Sequence, residues 1–296
     1  KFMNLTQASV NGSTAMWLLH MRESWGFAYM RGGYDKPTMI GLSEPVHYVN
    51  QPSQYNMPMQ IHLARTVDPS EMTVIWVTKN ESDPLVIYAS SLELLSTNPS
   101  SVSANTSTYT RDQMCDGIAG GVGWRDPGSI HQAVMTNLQP GQQYFYMIMG
   151  ADAVSTVQSF FAPPKPGSDI DFIIFGDMGQ AQFDGTAEWI VWRYNTGKPV
   201  PFPDQPAVLN TTKSLRLDLT DGSVSNETAI ILIIGDVSYA RGRGGMWDQF
   251  HYLIEPFSVN TPIMTLLGNH EMNWAKTYWS SKDSGGECGV PYQARF

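Results

Sequence analysis

The stretch Ala229-Ile-Ile-Leu-Ile-Ile-Gly-Asp-Val-Ser-Tyr239 is an unbroken apolar run that ends in a glycine and an aspartate. Two further runs have the same form. Ile170-Asp-Phe-Ile-Ile-Phe leads into Gly176-Asp-Met-Gly179, and Pro262-Ile-Met-Thr-Leu-Leu leads into Gly268-Asn-His-Glu271. Near-continuous apolar runs that are buried on both faces are typical of parallel strands in an α/β sheet. The gaps between the runs leave room for crossover helices, so this part of the chain predicts a parallel sheet.

Oxygen-bearing side chains follow each of the three predicted strands. Ligands of an open α/β sheet bind beyond the carboxyl ends of its strands, and glycine lets the chain turn sharply there. We therefore expect five side chains to converge: Asp177, Asp236, Tyr239, Asn269 and His270. Their carboxylate, phenol and amide oxygens form a hard site that suits Fe(III), Mn(II) or Zn(II). One Gly-Asp pair would be an ordinary turn, but three in series predict a metal site.

Two segments between the predicted strands are candidate helices, residues 185–194 and 247–255. The polar segment 197–228 predicts a surface excursion followed by a helix that begins near Asn210.

The chain before residue 164 is rich in short alternating strands. Residues 72–78, 85–90 and 129–135 alternate or are rich in β-branched residues, and turn signals separate them. Leu138-Gln-Pro before Tyr144 and Tyr146 resembles the approach to a tyrosine corner. Residues 45–163 therefore predict a fibronectin type III-like β-sandwich. A Pro-rich linker then leads to the α/β unit at 167–296, and residues 1–44 are interpreted as the tail of an upstream β-rich module.

Three motifs resemble those of a known family. Gly-Asp-x-Gly at 176–179, Gly-Asp-x-x-Tyr at 235–239 and Gly-Asn-His-Glu at 268–271 are similar to the first three of five signature blocks of the purple acid phosphatases, within the metallophosphoesterase superfamily. Residues 123–131, 239–242, 247–250 and 283–292 resemble the large plant-type members. The resemblance implies a sandwich followed by an α/β/β/α metallophosphoesterase domain, of which 167–296 are the amino-terminal half.

The resemblance also implies a role for each candidate ligand. Asp177 and Tyr239 would bind Fe(III), and Asp236 would bridge the two metals. Asn269 would bind the divalent partner, which is Fe, Zn or Mn. His270 would contact the phosphate and help to protonate the leaving group. A metal-bound hydroxide would then attack the phosphorus of a phosphate monoester, with nucleotide anhydrides or diesters as further substrates.

The fourth and fifth family blocks, Val-x-x-His and Gly-His-x-His, are missing from this sequence. No histidine follows His270, and the other five are interpreted as surface or core residues: His20, His47, His62, His131 and His251. Activity is therefore expected to require a carboxyl-terminal half that this chain lacks. Three explanations stay open: that half was cleaved and stays associated, it belongs to the protein but lies outside this sequence, or it is absent. The competing hypothesis is a catalytically silent secreted glycoprotein or binding module. A third is a nucleotide pyrophosphatase or phosphodiesterase.

Glycosylation acceptors and cysteines bear on the compartment. Six positions fit N-x-[ST]: Asn4, Asn11, Asn80, Asn105, Asn210 and Asn226. They predict a secreted protein, against the alternative of chance in a Ser/Thr/Asn-rich chain. The first nine residues lack the apolar region of a signal peptide, so such a signal is taken to have been removed upstream. Cys115 and Cys288 could bridge the two domains, and unpaired or separately partnered thiols are the alternative.

Composition excludes some classes of partner. The net charge of −9 gives no sign of a nucleic-acid-binding surface. No apolar run is long enough to span a membrane. The expected partners are small phosphorylated substrates, a cleaved carboxyl-terminal half, and a second copy in a homodimer, which family members often form.

Overall fold

The computed structural model describes residues 18–19, 22–32, 36–47, 55–81, 83–115, 117–182, 192–194, 198–200, 207–272 and 284–296. Its strands are β1 (Ala28–Arg31), β2 (Thr38–Leu42), β3 (Met59–Ala64), β4 (Met72–Thr78), β5 (Leu85–Ala89), β6 (Ser100–Ser103), β7 (Asn105–Ser107), β8 (Ser129–Met135), β9 (Gln143–Met149), β10 (Gln158–Phe161), β11 (Phe172–Phe175), β12 (Trp192–Tyr194), β13 (Lys198–Val200), β14 (Ile230–Ile234) and β15 (Ile263–Leu266). Its helices are α1 (Leu92–Thr97), α2 (Ala207–Thr220), α3 (Gly244–Ser258) and α4 (Val290–Arg295). None of these helices is long and apolar enough to cross a bilayer.

Two four-stranded antiparallel sheets pack against each other in the first half of the chain. Their strand orders are β3-β4-β8-β7 and β10-β9-β5-β6. Because successive side chains of a strand point to opposite faces, alternate apolar residues of each sheet meet in one core around Trp76, Tyr146 and Phe160. The first two strands of the chain form a separate hairpin, β1-β2, whose side chains are exposed.

A tyrosine fixes the turn that leads into β9. The backbone N–H of Gln139 donates to the hydroxyl of Tyr144 at 3.0 Å, which is the contact that defines a tyrosine corner. The prediction from Leu138-Gln-Pro is confirmed for Tyr144. Tyr146 has a different partner, because its hydroxyl donates to the carbonyl of Val259 at 2.9 Å, just beyond α3. One aromatic strand thus closes its own turn and also holds the second half of the chain.

The second half is built on a parallel sheet of order β11-β14-β15, as its three apolar runs predict. The helices α2 and α3 pack on one face, against Ile231 and Ile233. The opposite face is exposed at alternate positions, which are Phe172, Ile174, Ile234, Met264 and Leu266. The expectation that these strands are buried on both faces is therefore wrong for the described residues. The second face is exposed because both helices lie on the same side of the sheet.

The predicted helices differ in outcome. The segment 247–255 lies inside α3, so that prediction is confirmed. The helix α2 begins at Ala207, slightly before Asn210. The prediction of a helix over 185–194 is wrong at its end, since Trp192–Tyr194 is a strand paired with β13; residues 183–191 lie outside the described part. Two aromatic residues at alternate positions, Trp192 and Tyr194, favour a strand over a helix.

A buried cluster of charges joins α3 to the sandwich. Asp248 Oδ1 accepts hydrogen bonds from Arg22 at 3.1 Å and from the side-chain amide of Gln60 at 2.5 Å. The guanidinium of Arg295 lies 3.6 Å from the same oxygen and donates to Gln60 Oε1 at 2.6 Å. Both arginines and the aspartate are at most 2% exposed. Such ions are tolerated away from water only because each has its partner.

The first strand of the sandwich is also bonded directly to α3. The carboxylate of Glu255 accepts the backbone N–H of Gln60 at 3.0 Å, and the hydroxyl of Ser258 donates to the carbonyl of Ile61 at 2.8 Å. Burial raises the pKa of Glu255 to about 7. These bonds make α3 part of both halves of the protein.

Two buried histidines, His62 and His251, pack against each other beside this cluster, with ring centroids 5.0 Å apart. The ring nitrogens of His62 lie 2.8 and 2.9 Å from the carbonyls of Gln60 and Arg295. Neither ring nitrogen of His251 has a hydrogen-bond partner among the described residues. Burial lowers the pKa of His62 to about 4, and burial lowers the pKa of His251 well below its usual value.

We expect Asp248→Asn to lower the free energy of unfolding by about 3–5 kcal/mol, because two buried arginines would lose their counter-ion. Urea unfolding followed by circular dichroism measures this. The control is Glu93→Gln, which neutralises an exposed carboxylate and should change stability by less than about 0.5 kcal/mol. Equal stability of the two variants would contradict the structural role given to Asp248.

The histidine pair predicts a loss of stability in acid. The folded-state pKa values lie below the unfolded value of 6.5, so the unfolded chain binds more protons as the pH falls from 6.5 towards 4. Their full contribution is present above pH 6.5. We expect His251→Phe to raise the melting temperature at pH 5 by a few degrees and to reduce its drop between pH 7 and pH 5, since about 1 kcal/mol corresponds to ~2–4 °C in a protein of this order of size.

Calorimetry at both pH values tests this expectation. The exposed His47→Phe is the control and should leave the drop unchanged. An unaltered pH dependence in His251→Phe would show that the pair is not its source.

Candidate functional site

The loops after β11, β14 and β15 meet at the carboxyl edge of the parallel sheet. The backbone N–H of Asp177 donates to the carbonyl of Gly235 at 3.2 Å, and that of Gly179 donates to the carbonyl of Val237 at 2.9 Å. The N–H of His270 donates to Asp236 Oδ1 at 3.1 Å. All three loops are therefore joined by direct hydrogen bonds.

One phenol connects the two aspartates. The hydroxyl of Tyr239 donates to Asp177 Oδ1, and it also lies 3.2 Å from Asp236 Oδ2 as a donor. Burial, together with the hydrogen bond to Asp177, raises the pKa of Tyr239 far above its usual value. Side-chain oxygens from two loops thus converge on a single point.

The backbone at this point is in an unusual conformation. Asp177, Asp236 and Tyr239 have φ values of 54°, 49° and 52°, in the left-handed region that non-glycine residues seldom adopt. Such strain persists only where the surroundings over-determine it, and it clusters at functional sites. A close approach explains the glycine that precedes Asn269, because a Cβ at Gly268 would lie 2.1 Å from Asp236 Oδ1.

Aromatic and cationic groups surround the phenol. The ring of His270 lies 4.5 Å from the ring of Tyr239, and the guanidinium of Arg241 lies 5.4 Å from it. Asn269 lies in the same turn as His270. The structure therefore brings Asp177, Asp236, Tyr239 and His270 together, with Asn269 beside them.

The donor atoms fit part of a metal site. Two carboxylates, a phenol and an amide are hard oxygen ligands of the kind that Fe(III) prefers. Among the described residues, no group of three or more His, Cys, Asp or Glu side chains is arranged to hold a metal ion. The remaining described histidines lie elsewhere: His47 is exposed, and His62, His131 and His251 are buried in the interior. His20 lies outside the described residues.

Two buried carboxylates near the site, Glu271 and Glu287, accept hydrogen bonds from the surrounding loops. Glu271 accepts backbone N–H groups of two ligand loops. Glu287 accepts the N–H of Gly242 at 2.9 Å and the indole N–H of Trp247 at 3.1 Å. Burial raises the pKa of Glu287 to about 8. Glu271 belongs to the Gly-Asn-His-Glu motif and Glu287 to the segment 283–292 that resembles the plant-type members, but no sequence pattern indicated their hydrogen-bond partners.

A disulfide fixes the segment that contains Glu287. Cys115 and Cys288 are bonded, so the bridged alternative is confirmed. Backbone bonds run alongside it, from Cys115 N–H to the carbonyl of Gly286 and from Ala119 N–H to that of Gly285, each at 3.0 Å. The segment 285–288 is thereby tied to a loop of the sandwich.

Four of the glycosylation acceptors are exposed: Asn80, Asn105, Asn210 and Asn226. Asn4 and Asn11 lie outside the described residues.

Known proteins resemble this chain. A family model described as "Purple acid Phosphatase, N-terminal domain" matches residues 58–162. "Probable inactive purple acid phosphatase 27" of Arabidopsis thaliana is 36% identical over 291 residues, which cover 94% of this chain and 43% of that protein. A "Nucleotide pyrophosphatase/phosphodiesterase" of Hordeum vulgare is 39% identical over 142 residues, or 47% of this chain and 34% of that protein.

A solved structure resembles the fold. The purple acid phosphatase isolated from yellow lupin (Lupinus luteus) seeds matches with a TM-score of 0.79 and 36% identity, covering 94% of this chain and 46% of that chain. The chain thus spans less than half the length of each of these three relatives.

We expect Cys115→Ser combined with Cys288→Ser to lower the free energy of unfolding by about 2–5 kcal/mol, because the bond closes a long loop in the unfolded chain. Urea unfolding with and without a thiol reductant measures this. The reduced wild-type protein should match the double variant, and the reductant should leave the double variant unchanged. A double variant as stable as the oxidised protein would contradict the expectation.

Proposed function

Because the chain belongs to the purple acid phosphatase family, we propose that it is the amino-terminal part of a binuclear-metal acid phosphatase that hydrolyses phosphate monoesters. The observation that carries the proposal is the convergence of Asp177, Asp236 and Tyr239, joined by the phenol at the ends of the parallel strands. Nucleotide anhydrides and diesters are further candidate substrates, and the similarity to the barley protein over 47% of the chain supports including them.

In this proposal the oxygen donors hold Fe(III) and a divalent metal, which is Fe, Zn or Mn. Asp177 and Tyr239 would hold Fe(III), Asp236 would bridge, and Asn269 would hold the divalent ion. When bound, the metals supply charge neutralisation for the phosphate and activation of a water. The oxygen donors need nitrogen ligands to complete the set, and we assign these to a carboxyl-terminal half of the kind that the longer relatives contain. We further propose that this half is cleaved and stays associated, and that the protein forms a homodimer.

His270 would act on the substrate from outside the metal ligands. Its backbone N–H is fixed on Asp236 and its ring packs against Tyr239, so the imidazole is held beside the converging oxygens. A histidine in that position can protonate the leaving oxygen of the ester. Arg241, whose guanidinium lies 5.4 Å from the ring of Tyr239, is a second group that could meet a phosphate.

The finer architecture is also a proposal. We propose that residues 45–163 are a fibronectin type III-like sandwich, that 167–296 are the first half of an α/β/β/α domain, and that 1–44 are the tail of an upstream β-rich module. The exposed apolar face of the parallel sheet supports the second point, because parallel sheets are normally covered on both faces. The tyrosine corner supports the first.

Secretion is proposed on two observations. The four described sequons are exposed, as glycosylation requires. The Cys115–Cys288 disulfide is typical of an oxidising compartment.

The alternative function is a catalytically silent secreted glycoprotein on the same fold. The word "inactive" in the name of the Arabidopsis relative favours it, although that word describes the other protein. The retained oxygen donors favour an enzyme.

Metal analysis and activity of natively purified protein test the proposal. We expect about two metals per chain, one of them iron, a visible phenolate-to-iron absorption band, and hydrolysis of p-nitrophenyl phosphate near pH 5. Tyr239→Phe should lose the band and at least about 100-fold in activity, since even outer-shell changes at metal sites cost roughly 10–100-fold.

Tyr88→Phe is the matched control, because its hydroxyl bonds the carbonyl of Thr136 inside the sandwich. It should keep both band and activity. Wild-type protein without metal or hydrolysis would favour the silent glycoprotein.

A further inference from the structure

A single buried carboxylate lies between the loops of two proposed ligands. Glu271 is 1% exposed. Its Oε1 accepts the backbone N–H of Val237 at 2.9 Å, and its Oε2 accepts the backbone N–H of Gly268 at 3.0 Å. Val237 follows Asp236, and Gly268 precedes Asn269. The two oxygens of one side chain therefore hold the backbone next to each of these ligands.

The backbone of Glu271 extends the same connection. Its own N–H donates to the carbonyl of Gly268 at 3.3 Å, which closes the turn around Asn269 and His270. Its carbonyl accepts the N–H of Gly289 at 2.8 Å, next to the disulfide-bonded Cys288. Three segments that are distant in sequence thus meet at one residue.

Accepting both of these backbone N–H groups requires a carboxylate with the length of a glutamate side chain. A carboxylate offers an acceptor oxygen to each of two N–H groups, whereas an amide of the same shape offers one acceptor and would place its NH₂ against the other donor. A buried N–H without an acceptor is costly, so one of the two loops would move. An aspartate would keep both acceptors but is shorter by one methylene and would reach only with strain.

We propose that Glu271 is a positioning residue that sets the separation between Asp236 and Asn269. It would contact neither metal nor substrate, and would act only through the backbone of the two ligand loops. This inference rests on the proposed function, because the separation matters only if these side chains share a metal site.

The test compares Glu271→Gln with a matched control, Glu255→Gln. Glu255 is also a buried carboxylate that accepts the backbone N–H groups of Gln60 and Ile61, but it does so where α3 meets the sandwich. Each protein is purified natively and studied by hydrogen exchange with mass spectrometry. Its affinity for Fe(III) and Zn(II) and its visible absorption are measured as well.

In Glu271→Gln we expect exchange to accelerate at least tenfold over both 235–239 and 267–272, and metal affinity to fall about 10–100-fold, as for other residues that orient ligands. In Glu255→Gln we expect faster exchange near residues 60–61 and unchanged metal affinity. Glu271→Asp should fall between wild type and Glu271→Gln, and it is the working variant if the glutamine variant does not fold.

The two measurements, hydrogen exchange and metal affinity, distinguish a failure of this inference from a failure of the proposed function. If wild-type protein binds no metal, the proposed function fails, and the exchange rates alone decide whether Glu271 holds both loops. Unchanged exchange in either loop of the Glu271 variants overturns the inference. Faster exchange with unchanged metal affinity in a protein that binds metal overturns it too, because the loops would then not set the ligand geometry.

Discussion

The position of the sandwich relative to the parallel-sheet part of the chain depends on the carboxylate of Asp248. It lies on α3, and it is reached by Arg22 from the amino-terminal segment, Gln60 from β3 and Arg295 from α4. The cluster is buried, so the sandwich and α3 cannot shift relative to each other without leaving a buried charge unpaired. The indole N–H of Trp247, the residue before Asp248 on the helix, donates to Glu287. The direction of α3 therefore fixes both the sandwich and one of the loops at the sheet edge.

The site itself is assembled from loops whose backbone would not adopt its conformation alone. Three of its residues are in the left-handed region, and hydrogen bonds between loops rather than regular structure hold them there. Rigid surroundings make such strain tolerable. This explains why the carboxylates that bond the loops, Glu271 and Glu287, are as deeply buried as core residues.

Local patterns were sufficient to predict part of this structure. The apolar runs before Asp177, Asp236 and Asn269 identified the strands, their parallel pairing and the edge at which the side chains meet. The tyrosine corner was predictable because its partners, Gln139 and Tyr144, are close in sequence. Each of these signals lies within one short segment of the chain.

Long-range partners were not predictable in this way. Arg22 and Asp248 are 226 positions apart, and no spacing in the sequence relates them. Glu271 was visible in a motif, but its partners are backbone N–H groups, which leave no trace in residue identity. The one-sided cover of the parallel sheet depends on which helices pack on it, and the apolar periodicity of the strands does not encode this.

The covalent bond between Cys115 and Cys288 has a consequence for the integrity of the molecule. It joins residues 173 positions apart, and the interval between them contains α2, α3 and all three strands of the parallel sheet. Hydrolysis of one peptide bond anywhere in that interval leaves both pieces attached through sulfur. A nicked molecule keeps its mass, apart from one added water, until a reductant separates the pieces, so the two fragments remain at high mutual concentration and can stay docked.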